Sequence, residues 1–146
     1  LLAQGAPIDG FGIGTKLDTS ADAPYLDCAY KLQEYAGKPR RKRSPGKATW
    51  PGRKQVWRRY DQEGRMTGDV ISLEHDTQAG EPLLVPVMRE GRRLAPQPTL
   101  EEARRRAADS LRRLPEAVAS LQSEAAYPVA IAPALQQLAA SLDAQE

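Results

Sequence analysis

Hydrophobic periodicity changes once along this chain, and that change limits what it can fold into. From residue 25 to 96 apolar residues come in short alternating runs cut by Gly and Pro, the pattern of half-buried strands. From 97 to 146 they recur every three or four residues. Thr99 and Glu102 have the spacing of a capping box, and Leu100, Ala103, Ala107, Leu111 and Leu114 form one helical stripe. Glu101 with Arg105, and Glu102 with Arg106, are i,i+4 pairs in the favourable order. Pro115 ends this helix and suits the first turn of the next, where Val118 and Leu121 continue a stripe. Tyr127-Pro128 is a joint, and residues 134–142 predict a final short helix. Strands followed by helices, rather than alternating with them, define an α+β chain.

The strands can be placed in turn. Residues 27–36 alternate, with Cys28, Tyr30 and Leu32 on the inner face and Lys31 and Gln33 on the outer, and residues 40–44 return as a hairpin partner after Gly37-Lys38-Pro39. Cys28 reads as a small core residue, since no His lies near it in sequence. Trp50-Pro51-Gly52-Arg53 carries Pro and Gly where a type II turn wants them. Strands follow at 55–60 and 66–73, joined by the turn Asp61-Gln62-Glu63-Gly64. A strand over 83–88 belongs at an edge because Pro82 and Pro86 cannot donate to a ladder, and Glu90-Gly91 closes a hairpin onto Arg92-Arg93-Leu94. These pieces predict a small antiparallel sheet.

Ahead of the sheet lies Pro7-Ile8-Asp9-Gly10-Phe11-Gly12-Ile13-Gly14-Thr15. Leu1 to Gln4 followed by Gly5 reads as the last turn of a helix with a glycine cap, then a strand, so the chain opens on the second half of an α–β unit. Bare amides ending in a hydroxyl suit a phosphate. The spacing is neither a P-loop, since Thr15 precedes Lys16, nor the dinucleotide fingerprint G-x-G-x-x-G. A strand, tight loop and hydroxyl fit the last phosphate-holding loops of a β/α barrel, and a glycine-rich turn without a ligand fits equally well.

Composition removes several function classes. In 146 residues no apolar run approaches the roughly 18 of a membrane span. The opening has neither the basic nor the apolar segment of a signal peptide. Cys28 is alone, which excludes a disulfide framework and a cysteine metal cluster and fits a reducing compartment; His75 is alone, which excludes a histidine-rich metal site. The net charge of +2 hides one concentration. Between residues 38 and 60 stand Lys38, Arg40, Arg41, Lys42, Arg43, Lys47, Arg53, Lys54, Arg58 and Arg59 with no acid among them, interleaved with Trp50, Trp57 and Tyr60. The residues leave three readings open: phosphates of a small ligand, nucleic acid, or a solvated surface whose charge is offset elsewhere.

Several separated blocks, in order, resemble one family. Gly12-Ile13-Gly14-Thr15, Leu26 to Leu32, Lys42-Arg43-Ser44 with Lys47, Thr49, Pro51, Gly52 and Lys54, then Pro82 to Met88 and Tyr127-Pro128-Val129, resemble the C-terminal third of nicotinate phosphoribosyltransferase over nearly the whole chain. The resemblance implies residues 1–24 as the last strand and phosphate loop of a truncated barrel, 25–96 as the antiparallel β region and 97–146 as C-terminal helices. It implies an enzyme that joins nicotinate to 5-phosphoribosyl 1-diphosphate, with Mg²⁺ and coupled ATP hydrolysis, in NAD salvage. Gly12, Gly14 and Thr15 would hold the 5′-phosphate of the ribosyl substrate. Lys42, Ser44, Lys47 and Lys54 would meet the diphosphate or the ATP phosphates. The family's phosphorylated His lies upstream, so the catalytic groups and a metal site are expected outside this chain, and the piece alone is expected to be inactive. A cytoplasmic homodimer, completed by the barrel of the same protein and without nucleic acid or membrane, is the implied setting. Relatives using nicotinamide or quinolinate, and a basic nucleic-acid module, are the alternatives.

Overall fold

Two strands of seven and eight residues, on either side of an Asp-x-x-Gly turn, build the centre of the fold. β3 (Lys54–Tyr60) and β4 (Met66–Leu73) pair antiparallel from Lys54↔Leu73 to Tyr60↔Met66, with a bulge between Arg59 and Tyr60. Gly64 closes the turn between them at φ +77°, where a side chain would strain, and its N–H reaches the Asp61 carbonyl at 3.1 Å. In the computed structural model, residues 2–12, 14, 30–120, 122 and 125–144 are described, and the chain divides into two units, Leu1–Lys31 and Leu32–Glu146.

In the first unit a single 3₁₀ turn, Leu2–Gln4, ends at Gly5 with φ +71°, as the glycine cap requires. Among the described residues no strand pairing is seen in the segment that follows. Pro7 has no N–H to give, the Ile8 N–H bends back to the Ala6 carbonyl at 2.9 Å, and residues 6–12 have no ladder partner among the described residues.

In the second unit, β1 (Glu34–Tyr35) and β2 (Lys38–Pro39) form a tight hairpin across Ala36-Gly37, both at positive φ. This corrects two expectations. The turn is Ala36-Gly37 and the returning strand is 38–39, not 40–44. Facing is also reversed: Tyr30 is 95% exposed and Leu32 is exposed, while Lys31 and Gln33 are half-buried. Gln33 is held because its carbonyl accepts both the Arg40 and Gly52 N–H groups, at 2.8 and 2.7 Å. Cys28 lies outside the described residues.

The expected strand over 83–88 is replaced by two short pieces, β5 (Glu81–Pro82) on the edge of β3 and β6 (Met88–Arg89), which pairs with β7 (Arg92–Arg93) across Glu90-Gly91. The cause is the Gln55 side chain, whose amide donates to the Leu84 carbonyl at 2.9 Å and accepts from its N–H at 2.8 Å. A side chain thus takes the hydrogen bonds that a longer strand would have used. Leu84, Val85, Val87, Met88 and Leu94 are left exposed.

α1 (Leu100–Arg112) begins with the expected box: the Glu102 N–H donates to Thr99 Oγ1, and the Thr99 N–H donates to the Glu102 carboxylate at 2.7 Å. That carboxylate is therefore unavailable to Arg106, and among the described residues neither expected i,i+4 ion pair forms; Asp109 pairs with Arg112 instead. No residue of α1 is buried, and Leu100 is 87% exposed. The helix is anchored at its C-terminal end. The Arg113 carbonyl accepts from Met66 N–H at 2.8 Å, Arg113 Nε donates to the Gly64 carbonyl at 3.0 Å, and its guanidinium lies 3.9 Å from the Tyr60 ring centre. With so little packing beneath it, α1 depends on its cap. Thr99→Ala should cost about 1 kcal/mol, seen as a loss of helical circular dichroism at lower denaturant than in the wild type.

After the short α2 (Glu116–Ala119), the chain returns as β8 (Val129–Ile131), parallel to β4 with Asp69↔Val129 and Ile71↔Ile131. The four-stranded sheet, ordered β5-β3-β4-β8, is therefore mixed, not antiparallel, and draws a strand from the region assigned to helices. α3 (Pro133–Asp143), with Pro at its first turn, then packs on β4. Met66, Val70, Ala132, Leu135 and Ala139 make the core, and Leu135 has no exposed surface.

Candidate phosphate-binding loop

Ser44-Pro45-Gly46-Lys47 has the turn chemistry recognised at Trp50-Pro51-Gly52-Arg53. Pro45 supplies the first central position, Gly46 sits at φ +68°, and Lys47 N–H donates to the Ser44 carbonyl at 3.0 Å. Two further bonds close the loop at its base. Thr49 N–H donates to the Lys42 carbonyl and Lys42 N–H to Thr49 Oγ1, both at 3.0 Å. Lys42, Ser44 and Lys47 thus share one closed loop, and all three are exposed. Among the described residues neither lysine makes an ion pair.

The other basic residues of the cluster are largely engaged. Arg41 and Arg43 reach across to the end of α3: Arg41 Nη1 lies 3.0 Å and Arg43 Nε 3.3 Å from the Asp143 carboxylate, and Arg43 also donates to the Leu142 carbonyl. Cations at a helix C-terminus complement its dipole. Arg53 pairs with Glu34 at 2.9 Å. Arg58 forms a two-pronged pair with Asp69, at 2.9 and 2.8 Å, and the Tyr127 hydroxyl donates to the same carboxylate at 2.9 Å. That contact with Arg58 holds the Asp69 pKa below its usual range, against the opposing pull of burial.

Lys54 differs from the loop lysines. Its Nζ donates to the Trp50 carbonyl at 2.7 Å and the Gly52 carbonyl at 2.5 Å, and burial lowers its pKa against the raising effect of Glu34. It pins the second Pro-Gly turn. Two of the three interleaved aromatics are spent as well: Trp57 Nε1 donates to Ser72 Oγ at 2.9 Å, and the Tyr60 hydroxyl to Glu81 at 2.5 Å.

Gly12 and Gly14 are exposed, and a Cβ at either would meet nothing within 4 Å among the described residues; Thr15 lies outside them. His75 is exposed in the turn after β4. Sequence reasoning missed the closure by Thr49 and the clamp on α3. The first had a signal, since Ser-Pro-Gly-Lys repeats the punctuation of Trp-Pro-Gly-Arg six residues on. The second joins residues about a hundred positions apart and had none.

Comparison with known proteins gives this geometry its context. Residues 76–139 match the family model described as the nicotinate phosphoribosyltransferase C-terminal domain. The chain is 47% identical over 133 residues to nicotinate phosphoribosyltransferase pncB2 of Mycobacterium tuberculosis, covering 90% of this chain and 28% of that one. It is 34% identical over 170 aligned positions to the nicotinate phosphoribosyltransferase of Mus musculus, covering 99% of this chain and 32% of that one. The crystal structure of human nicotinic acid phosphoribosyltransferase superposes with a TM-score of 0.68 at 30% identity, over 79% of this chain and 26% of that chain. The chain thus spans less than a third of the length of these relatives. Fold and matches together define the class, a small α+β C-terminal domain of a phosphoribosyltransferase. The chain belongs to the nicotinate phosphoribosyltransferase family, of which it represents a C-terminal portion.

Proposed function

We propose that the complete protein joins nicotinate to 5-phosphoribosyl 1-diphosphate, and that this chain supplies phosphate-holding groups to the reaction. The pyridine nitrogen forms a bond to the ribose C1 as the C1–O bond to diphosphate breaks, giving nicotinate mononucleotide and diphosphate with coupled ATP hydrolysis, a step of NAD salvage. The observation that carries this reading is the closed Lys42–Thr49 loop, whose exposed lysines make no ion pair among the described residues while Arg41 and Arg43 are occupied. Fixed cations that meet an anionic leaving group stabilise the charge that develops on it. Lys42, Ser44 and Lys47 are assigned to the diphosphate or ATP phosphates. Lys54 is assigned a lesser part in the same role, with two of its three donors already given to carbonyls. Gly12, Gly14 and Thr15 are assigned to the ribosyl 5′-phosphate through their backbone amides and the Thr15 hydroxyl.

Mg²⁺ accompanies the diphosphate in this reading. No three His, Cys, Asp or Glu side chains converge among the described residues, so none of them is assigned to the ion and no step is routed through it. The active unit is proposed to be a cytoplasmic homodimer in which the barrel supplies the pyridine site and the phosphorylated histidine. No helix of the described residues is long and apolar enough to cross a membrane. Nucleic acid is disfavoured because Trp57 and Tyr60, two of the aromatics interleaved with the basic residues, are half-buried and hydrogen-bonded and so are poor stacking platforms.

Single substitutions test the loop. In the complete protein, Lys47→Ala should raise the KM for 5-phosphoribosyl 1-diphosphate or ATP about ten-fold, the size of one charge-assisted hydrogen bond, with the melting temperature unmoved. Unchanged kinetics in both Lys42→Ala and Lys47→Ala would return the loop to a solvated surface. The isolated chain should form no mononucleotide.

A further inference from the structure

We infer that Asp143, at the end of α3, is the positioning residue of the Lys42–Thr49 loop. The inference rests on the phosphate reading above. Along residues 41–43 the side chains alternate: Arg41 and Arg43 turn to one carboxylate, and Lys42 between them makes no ion pair among the described residues. One aspartate thus takes both flanking guanidiniums, and the Leu142 carbonyl adds a second acceptor for Arg43. Arg41 is the deeper of the two guanidiniums, with 15% of its side chain exposed against 38% for Arg43, and its Nε is buried with no hydrogen-bond partner among the described residues. A guanidinium so placed depends on the carboxylate that meets its other end. The loop begins at the next residue, so the direction in which Lys42 and Lys47 face is set by what holds residues 41 and 43.

Two roles for Asp143 predict opposite signs. A carboxylate that merely neutralised the cluster would compete with phosphate, and removing it would strengthen anion binding. A carboxylate that orients the loop would, when removed, loosen Arg41 and weaken binding. Inorganic diphosphate is the probe, titrated into the complete protein by calorimetry, with circular dichroism confirming the fold of each variant. Asp143→Asn should weaken binding about ten-fold, as loss of an orienting partner does for the group it holds. Asp143→Glu, which keeps the charge and the acceptor, should restore most of it. Tighter or unchanged binding in Asp143→Asn overturns the positioning role. Binding lost in Lys47→Ala but kept in Asp143→Asn leaves the phosphate loop standing and removes only this role. No binding by the wild-type protein overturns the phosphate reading, and the positioning role with it.

Discussion

Replacing Asp69 by alanine is expected to remove much of the stability of the domain. Asp69 is 8% exposed and satisfies both prongs of the Arg58 guanidinium as well as the Tyr127 hydroxyl, tying β3, β4 and the segment before β8 together. Removing one partner of such a pair leaves the other charged in a desolvated place, at a cost of about 3–5 kcal/mol, against a total near 5–15 kcal/mol for an ordinary domain. The same network sets a pH dependence. The folded-state pKa of Asp69 is lowered, chiefly by the Arg58 hydrogen bond, so its stabilisation is complete above the ordinary carboxylate value of about 3.9 and is lost as pH falls through the lowered one. Tyr127 acts at the other end. Burial, then its bond to Asp69, raises its pKa, so its contribution is complete below about 10 and fades as pH rises through the raised value. Urea titrations from pH 2 to 11 should show a lower plateau in Asp69→Ala with a shallower acid limb, since the carboxylate that titrates there is gone. An acid limb identical in wild type and variant would show that the pair does not govern it.

Gly80→Ala is expected to be the most damaging small change outside the core. Gly80 sits at φ +129°, and a Cβ there would stand 2.5 Å from the Arg58 carbonyl oxygen and 2.9 Å from its carbon. Both are backbone atoms of β3 and cannot step aside. The unfavourable φ alone costs about 1–3 kcal/mol, and overpacking adds about 1–3 kcal/mol, enough to lift β5 from β3 and break the Leu83–Val56 bond. Gly91→Ala separates the two causes, since φ is +74° there and nothing lies within 4 Å among the described residues. Denaturant midpoints should fall in both, and clearly further for Gly80. Equal falls would mean that close approach to β3 adds nothing.

The elements read most accurately from sequence were those whose signals are local. β4 lies where its alternation placed it, the Glu90-Gly91 hairpin and the Thr99 cap formed as their residues demand, and α3 extends the expected helix by one residue at each end. What failed depended on partners distant in sequence. The strand over 83–88 was lost to the Gln55 amide, and the inner face of residues 30–33 was decided by which carbonyl met Gly52. β8 is three residues long and parallel, so neither its length nor its pairing left a periodic trace. In the candidate site the basic residues were visible, but not their division. Arg41, Arg43, Arg53 and Arg58 find acids at 143, 34 and 69, which only the fold brings near.

Mononucleotide formation by the complete protein bears most directly on the proposed role. It would be supplied with 5-phosphoribosyl 1-diphosphate, ATP and one of nicotinate, nicotinamide or quinolinate, as wild type and as the Lys42→Ala/Lys47→Ala double variant. The expected result is product from nicotinate in preference to the other two, and a fall in kcat/KM of about a hundred-fold in the double variant at unchanged melting temperature, the combined size of two charge-assisted hydrogen bonds. Equal kcat/KM in the double variant and the wild type would contradict it.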